Sequence, residues 1–303
     1  MTLFHLIRWK NLLIIAITQI LIKYVLFPNN YALTSMGSFD FIILLTSTLF
    51  IAAAGYIIND LYDVETDSVN KPNKVLIGRS ISVKNANNLF IWFNVMGVVL
   101  GLFLSHRIGE SNFFGLFVLI SVLLYVYASY LKQTVLIGNI AVSLLVAMSL
   151  IIVGIFDLLP AITDANRILQ LEVFKILFGY SIFAFLINLL REIVKDIQDI
   201  DGDHKAGMQT LPIVLGRNRT KHIVFVLSVL PTLMLIFLLS NYFYDKTILV
   251  IYLLLFVIGP LIVISIKLFN AKSKKDFIFI SNLLKYVMLT GVLSMLVSTP
   301  LIS

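Results

Sequence analysis

Nine of the 16 acidic residues in this 303-residue chain fall in two short segments. One is Asn59-Asp60-Leu61-Tyr62-Asp63-Val64-Glu65-Thr66-Asp67, and the other runs from 192 to 203. Three aspartates repeat one spacing in each: Asp60, Asp63 and Asp67, then Asp196, Asp199 and Asp203. Steps of three and four residues line up along one face of a helix. Each segment is therefore expected to continue a helix and present a row of three carboxylates, with Asn59 one turn before Asp63. Carboxylates about 6 Å apart repel by roughly 3 kcal/mol at an effective dielectric near 20, so two such rows need cations. An all-oxygen ligand set without His or Cys selects hard ions. Mg²⁺ in particular is held by one or two carboxylates plus substrate phosphates. Solvated loop acids or helix caps would account for single aspartates but not for a repeated spacing. A calcium loop fits poorly, because the run starting at Asp199 has no Gly at its sixth position and no Glu at its twelfth.

Basic residues accompany both rows. Lys71, Lys74 and Arg79 follow the first; Arg191 and Lys195 precede the second on one helical face, and Lys205 follows it. Carboxylates to hold metal, together with Lys and Arg to hold oxygens, describe a pocket for a polyanion, most simply a diphosphate.

The elements that must position these residues lie in a membrane. The chain is 59% hydrophobic and 13% charged, against about 25% charged in a soluble domain. Its net charge of +7 comes from basic residues in short loops between apolar runs, which points to anionic lipid rather than nucleic acid. The absence of cysteine excludes disulfides, thiol catalysis and Cys-ligated metals. Runs long enough to span the hydrocarbon as helices cover 11–27, 39–58, 86–104, 113–130, 137–159, 174–190, 223–242, 247–267 and 277–297. None alternates as a barrel strand would, so the expected fold is all-α, a polytopic membrane helical bundle. No cleavage site follows the first run, which is read as a helix and not a signal peptide. With no linker to divide it, the chain reads as one domain over 1–303. Most Lys and Arg fall on the side of the N-terminus and the even loops; only Arg107, Arg167, Lys175 and Lys246 lie on the other. That bias puts both acidic rows on the cytoplasmic side. Helices embedded in hydrocarbon would hold an apolar tail on the diphosphate, which makes the expected ligand a prenyl diphosphate.

At these residues the sequence resembles the UbiA-type intramembrane prenyltransferases. Their N-D-x-x-D-x-x-x-D signature stands as Asn59, Asp60, Asp63 and Asp67, and their D-x-x-D-x-x-x-D signature as Asp196, Asp199 and Asp203. Nine helices with these motifs after the second and sixth extend the likeness over essentially the whole chain. Asn70-Lys71-Pro72-Asn73-Lys74, Gly78-Arg79 and Ile81-Ser82 are similar to a stretch of the digeranylgeranylglyceryl phosphate synthase branch. So are Arg191 to Asp196, Gly202-Asp203 and Thr210-Leu211-Pro212. Tyr127, Tyr130 and Lys132 with Gly138-Asn139 resemble that branch's segment between helices 4 and 5. Arg8 and Asn11 match its R-P-x-N, although Trp9 replaces the proline; Lys74 and Val75 stand where many members have Arg and Pro.

The resemblance implies Mg²⁺-assisted transfer of a polyprenyl group, geranylgeranyl in that branch, from its diphosphate to a membrane-associated acceptor. A prenylglyceryl phosphate of ether-lipid synthesis is the first acceptor and an aromatic quinone precursor the second. Asp60, Asp63, Asp67, Asp196, Asp199 and Asp203 would hold the metal, with Asn59 ligating it or orienting Asp63. Lys71, Lys74, Arg79, Lys132, Arg191 and Lys195 are candidates to neutralise the leaving group, and Lys205 to bind substrate phosphate. Arg8 and Asn11 join the substrate site by the same match, and Tyr127 or Tyr130 would face an allylic cation. A transporter is the rival class. No span carries an acid near its middle, which argues against ion transport, and Lys23 and Lys285 are the bases within spans: Lys23 is expected to snorkel, Lys285 to face the bundle. The D-G-x-x-A-R pattern of lipid phosphatidyltransferases is absent, since His204 and Lys205 follow Asp201-Gly202-Asp203. A purely structural membrane protein would not need two matched acidic rows.

Overall fold

A computed structural model describes residues 2–298, the side chain of Lys74 excepted. Among the described residues nine helices are long and apolar enough to cross a membrane. They are α1 (Trp9–Asn29), α2 (Ser38–Tyr62), α3 (Val83–Arg107), α4 (Ser111–Ser129), α5 (Ile137–Ala161), α6 (Arg167–Lys205), α7 (Arg217–Asn241), α8 (Thr247–Asn270) and α9 (Lys274–Leu296). The expected runs agree with these to within several residues, with α6 the exception.

At 39 residues, α6 is about 58 Å long at 1.5 Å per residue. The apolar run 174–190 covers only its membrane part. Beyond it, Ile193, Val194 and Ile197 recur on one face and bury against Leu211 and Val224, so an amphipathic stripe carries the helix on through the second acidic row. The three aspartates there share one helix, as the spacing requires. The first row differs. Helix α2 ends at Tyr62, Asp63 takes φ −90°, ψ 0°, and a separate short helix resumes over Val64–Asn70. At this break the Asp63 carbonyl accepts the Thr66 hydroxyl at 3.0 Å and the Asp67 N–H at 2.8 Å. The continuous helix expected from the spacing is thus kinked at its middle carboxylate.

The two largest apolar clusters hold the bundle, and α6 and α9 contribute to both. One joins α6 to α9 through Ile187, Leu261, Leu284 and Val287. The other joins α1 to α6 through Leu26, Leu44, Leu104, Phe156 and Leu177. Gly97 lets α3 approach α2, because a Cβ there would lie 2.6 Å from Ile51 Cγ1, and its carbonyl accepts the Ser47 hydroxyl at 2.7 Å. The Gly97–Gly101 pair therefore serves close helix packing. Pro260 cannot donate to the carbonyl of Phe256, and the Thr290 hydroxyl of α9 donates to it instead, at 2.8 Å.

At the end of the bundle away from the acidic rows, Lys23 does not snorkel. It is 6% exposed and pairs at 2.8 Å with Asp157, which is fully buried. Lys23 also donates to the Met36 carbonyl, and the Met36 N–H donates to the second Asp157 oxygen. Four groups thus satisfy one another, and that closed set permits burial where two isolated charges would need water.

Candidate active site

A cavity of about 870 Å³ opens among α1, α2, α4, α5, α6 and α9. All six aspartates of the two rows line it, with Asn59, Arg8, Asn11, Lys71, Tyr127, Lys132, Arg191 and Lys195. Its other end is apolar, lined by Ile51, Phe117, Ile120, Leu124, Val146 and Leu150 among others. Arg79, Tyr130 and Lys205 stand apart from the lining. Arg79 donates to the Pro72 carbonyl at 2.8 Å within its own loop, Tyr130 is 65% exposed at the end of α4, and Lys205 is exposed at the last turn of α6. The Lys74 side chain lies outside the described residues. Lining residues that the motifs did not single out include Tyr56, Asn188, Glu192 and Lys285.

Cationic side chains pair with each row. Arg8 meets Asp60 at 2.6 Å, Lys132 meets Asp63, and Lys71 meets Asp199 at 2.5 Å and Asp67 at 3.8 Å. Burial alone would lower the Arg8 and Lys71 values, but the charges of Asp60 and Asp199 outweigh it and raise both. Burial pushes the Asp67 carboxyl above the usual carboxylate range although Lys71 opposes it. Glu192 holds Lys195 at 2.6 Å and Arg191 at 3.3 Å.

These residues fit a hard cation. Among the described residues Asn59 Oδ1, Asp63 Oδ1 and Asp199 Oδ1 are buried without a hydrogen-bond partner, an expensive arrangement for acceptors facing nothing but protein. Among the described residues no three acidic or histidine side chains stand together at metal-ligand spacing. Mg²⁺ does not need three, because substrate phosphates and water complete its octahedron. Asn59 also orients the row, since its Nδ2 donates to Asp63 Oδ2 at 2.7 Å.

The two rows are fastened together by local chain geometry. Asn70, at the end of the short helix after the first row, donates to the Asp199 carbonyl at 2.8 Å and accepts the Gly202 N–H at 3.0 Å. A side chain at Gly202 would collide with Asn70, so a glycine in the second motif makes room for this clip. Lys132 is aimed at Asp63 by a 3-10 turn packed against the start of α5. A Cβ at Gly138 would lie 2.6 Å from the Leu131 carbonyl oxygen. One residue on, Asn139 donates to Asp196 Oδ2 at 2.8 Å, so the same helix start positions a group on each row. The preceding Leu136 has φ +63°, a left-handed conformation that side chains rarely adopt.

Among the described residues a bundle of nine membrane-length helices encloses a cavity that is ionic at one end and apolar at the other, the shape and charge that an amphiphilic polyanion would require. Residues 24–284 match the UbiA prenyltransferase family, and the chain belongs to that family of prenyltransferases. It is 34% identical over 80% of its length to the digeranylgeranylglyceryl phosphate synthase of Korarchaeum cryptofilum, covering 80% of that protein. It is 30% identical over 84% of its length to the synthase of the same name from Methanosphaera stadtmanae, covering 86% of it. A solved structure of a digeranylgeranylglyceryl phosphate synthase, 26% identical, aligns over 99% of this chain and 98% of its own with a TM-score of 0.65. A UbiA homologue from Archaeoglobus fulgidus, solved with DMAPP and Mg²⁺, shares the fold at 17% identity. It aligns over 98% of this chain and 100% of its own, with a TM-score of 0.57.

Proposed function

We propose that this protein transfers a geranylgeranyl group from its diphosphate to the hydroxyl of a prenylglyceryl phosphate, with Mg²⁺, in the assembly of an ether lipid. The observation that carries the reading is the single cavity that brings both carboxylate rows to one end and apolar side chains to the other. The names of the relatives at 30% and 34% identity favour a phosphorylated glycerol ether as acceptor over an aromatic ring.

In this mechanism the six aspartates and Asn59 would hold Mg²⁺, which would supply charge neutralisation to the departing diphosphate. Lys71 and Lys132, already paired with Asp199 and Asp63, add fixed positive charge where the leaving group becomes more negative. The apolar walls exclude water, which would otherwise capture the allylic cation. Tyr127 presents a ring to the same cavity and stabilises that cation through its face.

Purified protein in Mg²⁺-containing buffer, given labelled geranylgeranyl diphosphate, is expected to prenylate geranylgeranylglyceryl phosphate and to leave aromatic quinone precursors unmodified. Prenylation of the aromatic set alone would replace the acceptor in this reading.

We further propose that the whole chain works as one domain and that its acidic rows face the cytoplasm, on the charge bias of the loops. Cysteines introduced at Ser68 and Gln209 are expected to react with an impermeant thiol reagent from the cytoplasmic side only, and one at Ser111 from the outside only. The native chain has no cysteine, so every label reports its engineered position. Labelling of Ser68 and Gln209 from the outside would invert the orientation.

A further inference from the structure

Lys285 lies in the middle of α9, makes no ion pair among the described residues, and lines the same cavity as the acidic rows. Its ammonium donates to Asn11 Oδ1 of α1 at 2.6 Å. Arg191, on α6, lines the same cavity. The two helices run antiparallel, and the Gln198 amide of α6 donates to the Phe277 carbonyl of α9 at 3.1 Å. Arg191 is seven residues before Gln198 and Lys285 eight after Phe277. At 1.5 Å per residue both sit about 11–12 Å from that contact, on the same level. Among the described residues, Arg191 Nε is buried without a hydrogen-bond partner, and the guanidinium pairs only with Glu192, at 3.3 Å.

This cluster differs from the cations at the rows. Arg8, Lys71 and Lys132 each pair with a row carboxylate, whereas Arg191 and Lys195 share one acid, Glu192, and Lys285 donates only to the neutral Asn11 among the described residues. Two positive charges are left over, which matches a phosphate monoester in its doubly ionised form. Position fits as well. Arg191 precedes Asp196 by five residues, roughly 7–8 Å along the axis, towards the apolar end. An acceptor whose nucleophilic hydroxyl stands one carbon from its phosphate-bearing carbon needs its anion close to the reacting diphosphate but not on it.

We propose that Lys285 and Arg191, on α9 and α6, bind the phosphate of the acceptor at a subsite separate from the diphosphate site of the aspartate rows. This rests on the acceptor reading above. Lys285 is a specificity residue in that case: it selects acceptors that carry a phosphate, and takes no part in breaking the donor C–O bond.

The test compares geranylgeranylglyceryl phosphate with the same molecule lacking its phosphate, at saturating geranylgeranyl diphosphate. The wild-type protein should prefer the phosphorylated acceptor in kcat/KM. Lys285→Gln keeps a hydrogen-bond donor for Asn11, so a purely structural role survives it. That variant should lose the preference by roughly 10- to 100-fold, the worth of one charge-assisted contact. The loss should appear in the KM of the phosphorylated acceptor, with the donor KM within about twofold of wild type, and Lys285→Arg should recover most of it. Arg191→Gln should erode the same preference. An unchanged preference in Lys285→Gln, or a loss shared equally by both acceptors and the donor, would overturn the subsite. A wild-type protein active only on aromatic acceptors would instead overturn the acceptor reading itself.

Discussion

Replacing Asp63 by alanine is expected to slow turnover by about 10²–10³-fold, as when a fixed group is removed from a site that stabilises developing charge, in a protein that still inserts and folds. Asp63 occupies the break between α2 and the helix that follows it. It receives Asn59 and Lys132 on one oxygen, while the other is buried without a partner. Its loss removes a ligand position and leaves Lys132 without its carboxylate, so the charge balance fails on both counts. Asp201 belongs to the same acid-rich segment as the second row but is exposed on α6, and Asp201→Asn should stay within about twofold of wild type. Excess chelator should abolish the wild-type reaction, and added Mg²⁺ should restore it. Near-normal turnover by the Asp63→Ala protein, or full activity in chelator, would remove the carboxylate rows from the mechanism.

The second large effect is on stability, at the far end of the bundle. Asp157→Ala leaves the Lys23 ammonium buried without its counter-ion. Breaking a buried pair in this way costs about 3–5 kcal/mol, a fall in Tm on the order of 10 °C for a chain of this size. Lys23→Met combined with Asp157→Leu removes both charges together and should recover most of the loss. Thermal unfolding in detergent of the wild type, the single variant and the double variant measures all three. Equal losses in the single and double variants would mean that the pair's hydrogen bonds to Met36 matter more than its charge.

The contrast between these two ends explains what could be read before folding. Aspartates at steps of three and four carry their own geometry, so the second row lies on one helix face as its spacing implies. The first row kept its residues but not its helix. Nothing in the local pattern of Asp63-Val64-Glu65-Thr66 marks the break, where Asp63 is held by Asn59 and by Lys132 from a distant turn. Arg79 enters by its place after the first row and Tyr130 by the resemblance, yet loop direction decides whether such a residue reaches a cavity, and neither lines it. Lys285 was visible as a base in the last apolar run, but its role depends on α9 lying antiparallel to α6, a long-range fact. The Lys23–Asp157 pair joins residues 134 positions apart, so neither partner announces the other. Asn70 likewise appears as a loop residue until Gly202 is brought beneath it.

The length of α6 also bears on how the reaction ends. About 58 Å of helix exceeds a hydrocarbon core of about 30 Å, and the excess carries Asp196, Asp199 and Asp203 beyond the apolar run while Ala184 and Asn188 of the same helix line the deeper cavity. One rigid rod thus straddles two phases. Bond cleavage divides the substrate along that boundary: the inorganic product is soluble only in water, and the doubly prenylated lipid only in the bilayer. The products part into different solvents, so re-encounter in the cavity is rare and the transfer is drawn forward by partition.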